Sequence, residues 1–83
     1  MPKIQHIFEQ KDILTYLQER GLVKQYRKAK NFLLHDYQSQ TGFKERNPKG
    51  SGIWSFRINR QYRALGVINE QNELIIFEID NHQ

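Results

Sequence analysis

The stretch from Ile53 to Ile79 leaves the chain the fewest choices. Three runs rich in aromatic and β-branched residues, 53–59, 61–68 and 73–79, follow one another with turn-forming residues between them. Such runs at this spacing read as consecutive antiparallel strands. Side chains alternate across a strand, so Trp54, Phe56 and Ile58 fall on one side and Ser55, Arg57 and Asn59 on the other. Charge then sets the first register. With Asn59-Arg60-Gln61 as a three-residue turn, Ile58 faces Tyr62, Arg57 faces Arg63, Phe56 faces Ala64 and Trp54 faces Gly66. Both arginines leave the core. A two-residue turn would set Phe56 beside Arg63, because a slip of one residue turns every side chain over.

The second hairpin follows from reading Asn69–Asn72 as a four-residue turn. Gly66 then pairs with Ile75, Ala64 with Phe77 and Tyr62 with Ile79, all on the core face. The opposite face gathers Arg57, Arg63, Glu78 and Asp80, with Leu65, Val67, Leu74 and Ile76 toward the far end. This predicts a charged cluster beside an exposed apolar patch, and such patches mark contact surfaces. Arg57 and Arg63 repel across the strands unless an anion or carboxylate lies between them.

The first half of the chain reads as helical. KIQHIF, residues 3–8, is a candidate short first strand. A helical pattern runs from about residue 9 to Arg20, with Ile13, Leu14 and Leu17 as its apolar face and Gly21 as its stop. A second stripe, Leu22, Tyr26, Ala29, Leu33 and Tyr37, predicts a helix from Leu22 to about Gln40. Gly21 between them implies a helical hairpin. Residues 41–52, TGFKERNPKGSG, read as a loop broken by Pro48, Gly50 and Gly52. The expected architecture is α+β: a helical hairpin packed on one face of a small, mainly antiparallel sheet, in the order β-α-α-β-β-β, as one domain over 1–83.

Charge is distributed unevenly. Residues 24–63 hold ten Lys/Arg against two acids, whereas residues 64–83 hold four acids and no Lys/Arg. A basic centre of this density suits a polyanion. The chain has no cysteine, which excludes disulfides and thiolate metal sites. No apolar run reaches bilayer-spanning length, and MPKIQHIFEQKD lacks the apolar stretch of a signal peptide. The expectation is a soluble cytoplasmic protein without membrane contact. His6 and His35 have no acidic or histidine neighbour at ligand spacing, so no metal and no cofactor are expected.

Trp54, Arg57, Ile58, Asn59, Gln61, Tyr62 and Arg63, then Asp80 and His82, carry a resemblance. WSFRINRQYRALG followed by ELIIFEIDNH resembles the RelE/ParE toxin superfamily of type II toxin–antitoxin systems, with the HigB-like branch closest. There a W-x-x-R-I-N-x-Q-aromatic-R strand pair precedes a last strand ending in Asp-x-His. The basic loop KERNPKGSG also looks like the family's loop into the second strand. The likeness covers about residues 43–83; the helical hairpin agrees in order only. Asn81 stands where HigB-like toxins commonly have tyrosine.

The resemblance implies a small α+β toxin that cleaves mRNA, usually on the ribosome, without a metal. A cognate antitoxin would block it, and operator DNA would be bound only through the antitoxin complex. Relatives of the ParE type instead inhibit DNA gyrase without a nuclease site, and an inactive toxin-like binding module is a further alternative. Metal-independent cleavage uses the substrate's 2′-OH to attack phosphorus. The protein must then accept one proton, donate another and stabilise the phosphoryl oxygens. Arg57 and Arg63 suit the oxygens, since a guanidinium donates in a fixed fork. His82 and Asp80 supply the acid and base, in an order left open. Arg46, Lys49 and Arg60 are candidates for flanking RNA phosphates. Leu65, Val67, Leu74 and Ile76 are the expected antitoxin surface.

Overall fold

Leu22, Tyr26, Ala29 and Leu33 are all buried, so the stripe read from their spacing is the face a helix turns inward. The computed structural model describes residues 3–35 and 41–81; Tyr37, the end of that stripe, lies outside them. The described elements are β1 (His6–Glu9), α1 (Ile13–Glu19), α2 (Val23–Leu34), β2 (Lys44–Glu45), β3 (Ile53–Arg57), β4 (Tyr62–Ile68) and β5 (Glu73–Asn81). Two helices pack on a five-stranded sheet of order β1-β5-β4-β3-β2. β1 runs parallel to β5, and the other neighbours pair antiparallel.

The helical turn forms as its residues dictate. Gly21 sits at φ +66°, the left-handed region that closes many helices. The Leu22 amide donates to the Leu17 carbonyl at 2.8 Å and the Gly21 amide to the Gln18 carbonyl at 3.2 Å. Leu17 and Leu22 are both buried, adding the apolar contact that goes with this closure. Leu14, expected in the core, is 46% exposed. It follows Ile13 by one position, and adjacent helical residues do not share a face.

Glu9, at the end of β1, ties that strand to α2. Its Oε2 accepts from the Tyr26 hydroxyl and from Lys30 Nζ, each at 2.7 Å. Burial and the neighbouring carboxylate push the Tyr26 phenol well above its ordinary value. Tyr26 also stacks on Phe56 of β3, with ring centroids 6.0 Å apart.

The first hairpin has the expected register: Trp54 faces Gly66, Phe56 faces Ala64 and Arg57 faces Arg63. Asn59 makes the turn. Its Oδ1 accepts from the amides of Gln61 and Tyr62, each at 2.8 Å, which is how an asparagine side chain mimics a backbone turn.

The second hairpin differs from expectation by one residue. The Asn69 amide donates to the Glu73 carbonyl at 3.0 Å, so the loop between paired positions is residues 70–72, with Asn72 at φ +60°. A three-residue loop ending in a left-handed residue is a favoured hairpin connection. Ile68 therefore faces Leu74, Val67 faces Ile75 and Gly66 faces Ile76. This corrects the expected apolar patch: Leu74 and Ile76 are 1% and 0% exposed and belong to the core. Leu65 is also buried, and only Val67 of the four lies exposed. A bulge between Leu65 and Gly66 then shifts the register again, setting Leu65 against Glu78, Ala64 against Ile79 and Arg63 against Asp80.

Residues 41–52 are not all loop. β2 pairs Lys44 with Ser55 and Glu45 with Trp54, and Phe43 is buried and stacks on Trp54 at 5.1 Å. No helix among the described residues is long and apolar enough to cross a membrane.

Candidate functional site

The face of the sheet turned away from the helices is organised in rows. Directly paired residues share a face, so Arg57, Arg63 and Asp80 form one row across β3, β4 and β5. Lys44, Ser55, Leu65 and Glu78 form the next, across β2 to β5. Ile53, Val67, Ile75 and Phe8 form a third, reaching β1. The first two rows are charged or polar apart from Leu65. The third is apolar, with Phe8 48% and Val67 42% exposed.

This outer face is concave. Arg46 follows β2, at one edge of the sheet, yet its Nη1 lies 3.6 Å from Asp80 Oδ2 on β5, three strands away in the sheet order. The Arg46 side chain thus reaches over this face, on which Ser55 and Leu65 are buried. The cleft so formed has a volume of about 450 Å³ and is lined by Lys44, Glu45, Arg46, Asn47, Ser55 and Arg63. The Glu45 carboxylate accepts from the Gly52 amide at 3.0 Å, which directs part of its acceptor capacity to the loop.

The cations here outnumber their partners. Neither the Arg57 nor the Arg63 guanidinium makes a hydrogen bond or ion pair with any described residue, and the Asp80 carboxylate is engaged by Arg46. Of the two acids expected on this face, the loop and the bulge together set Asp80 opposite Arg63 and Glu78 opposite Leu65. The Ser55 hydroxyl is buried without a hydrogen-bond partner among the described residues. Leaving such a group unsatisfied costs about 1–3 kcal/mol.

Among the residues expected from the sequence, Arg57, Arg63, Asp80 and Arg46 come together on this face. Lys49 and Arg60 are exposed, on the loop before β3 and in the β3–β4 turn. Arg60 lines a different cleft of about 490 Å³ against α2, with Lys28, Phe32, Arg57 and Asn59 among its walls. His82 lies outside the described residues. The sequence reading missed Lys44 and Ser55. Ser55 was recoverable, since it shares a strand face with Arg57; Lys44 was not, because its strand is too short to show alternation. Tyr62, expected on the core side, packs edge-on against Tyr16 there. Among the described residues no group of three or more His, Asp or Glu comes within range of one metal ion.

Set beside known families and curated proteins, the sequence matches no family model and no curated protein.

Proposed function

We propose that this protein is a RelE/ParE-like toxin, nearest the HigB-like branch, that cleaves mRNA without a metal, in the cytoplasm and in association with the ribosome. The observation that carries the reading is the row Arg57–Arg63–Asp80: two arginines pair directly across β3 and β4, and neither guanidinium has a carboxylate partner among the described residues. A phosphodiester placed between them would relieve their repulsion and receive forked donation on its non-bridging oxygens. The 2′-OH would attack phosphorus as the 5′-oxygen departs. Asp80, freed from Arg46, and His82 would handle the two protons. Arg46 and Lys49 would hold flanking phosphates, and Arg60 a phosphate on the α2 side. The helical hairpin and antiparallel meander support the likeness in element order.

A second reading is supported by the apolar row. Phe8, Ile75, Val67 and Ile53 offer a contact strip for a protein, either the antitoxin or, in the ParE manner, a gyrase-like target. On this reading the antitoxin surface keeps Val67 but trades buried Leu74 and Ile76 for Ile75 and Phe8.

Induced expression of wild type, Arg63→Ala and His82→Ala tests the choice. The nuclease reading expects growth arrest with cleaved transcripts from wild type alone. Arrest with intact mRNA and blocked replication would replace it with the second reading.

A further inference from the structure

We infer that Ser55 is a direct ligand in an anion subsite, built by Lys44, Ser55 and Arg63 within the concave cleft, that receives a phosphate or phosphodiester. Three observations converge. The Ser55 residue is 1% exposed, and its hydroxyl has no partner among the described residues. Ser55 is nonetheless one of the residues lining the cleft. Lys44 faces Ser55 directly across β2 and β3, and Arg63, with no ion-pair partner among the described residues, completes the wall.

The donor set selects the ligand. An ammonium and a guanidinium only donate and carry positive charge, and the hydroxyl adds a donor beside them, so the set favours a ligand rich in acceptors and negative. A tetrahedral oxyanion accepts from all three at once, whereas a neutral amide or sugar would leave the charges unanswered. Glu45 also lines the cleft, and its contact with Gly52 at 3.0 Å holds one oxygen toward the loop. Arg46 reaches across to Asp80 at 3.6 Å. A second anion in the cleft would draw Arg46 toward itself, so filling the subsite and releasing Asp80 are linked. The identification of the anion as an RNA phosphodiester rests on the proposed nuclease reading; the subsite itself does not.

Inorganic phosphate and a short all-deoxy oligonucleotide, which lacks the attacking 2′-OH, are the probes. Binding to the full chain is followed by amide chemical shifts and fluorescence anisotropy for wild type, Ser55→Ala and Ser55→Thr. The expected result is that both probes shift the amides of Lys44, Ser55 and Arg63. Ser55→Ala should weaken oligonucleotide binding about tenfold, the worth of a hydrogen bond to a charged acceptor, and Ser55→Thr should restore it. Thermal unfolding of Ser55→Ala should be unchanged or raised, since the lost hydroxyl has no partner among the described residues. Unchanged probe affinity in Ser55→Ala, with or without a gain in stability, overturns the proposal. Wild type that binds phosphate through Ser55 yet leaves mRNA intact upholds the subsite and removes the nuclease reading alone.

Discussion

The hairpins β3–β4 and β4–β5 share a strand and differ in what sets their register. In the first, the rows nearest the turn are either core or charged: Phe56 faces Ala64, Arg57 faces Arg63. A slip by one residue would bury a guanidinium, and an unpaired buried charge is too costly to keep. In the second, both faces are apolar around the turn: Ile68 with Leu74 inside, Val67 with Ile75 outside. A slip there exchanges one aliphatic pair for another, so hydrophobic burial hardly discriminates. The loop decides, through the Asn69–Glu73 pairing and the left-handed Asn72. Charge specifies register from within a strand, whereas a doubly apolar hairpin takes its register from its turn.

Four experiments test that contrast. The largest effect belongs to the second hairpin. Ile76→Ala should cost about 2–5 kcal/mol in denaturant unfolding, as for other fully buried aliphatics, whereas Ile75→Ala should cost under about 1 kcal/mol. The opposite ranking would restore the four-residue turn. Next, Gly66→Ala should destabilise by about 1–3 kcal/mol, because its new Cβ would lie 2.7 Å from the Ile75 carbonyl oxygen. A neutral result would mean the register across the bulge is wrong.

A third experiment concerns the hold of the first hairpin on α2. Tyr26 stacks on Phe56, and its phenol is harder to ionise folded than unfolded. The unfolded chain therefore loses this proton first. The stabilisation is complete below the ordinary value of 10.0 and declines as pH rises beyond it, by up to about 1.4 kcal/mol per pH unit. Alkaline unfolding curves should show this slope for wild type and a shallower one for Tyr26→Phe. An equal slope in both would detach Tyr26 from the alkaline transition. The smallest effect is a gain: Arg57→Met should stabilise by about 0.2–1 kcal/mol through relief of the like-charge pair, while abolishing the proposed RNA cleavage. A loss of stability would mean the pair is already neutralised.

Several features were legible before any coordinates. The burial of Leu22, Tyr26, Ala29 and Leu33 follows from helical spacing, the reversal at Gly21 from its freedom at positive φ, and the facing of Arg57 and Arg63 from charge alternation. These are local properties, each decided within a few residues. Only the tertiary structure decided the rest. β2 pairs two residues, below the length at which a period exists. The inward turn of Leu74 and Ile76 depends on a loop and a bulge, which alternation does not encode. The meeting of Arg46 with Asp80, and of Lys44 with Ser55 and Arg63 around one cleft, depends on the order and register of four strands. Order and register join strands far apart in the chain, so the residues they gather have no common spacing in it.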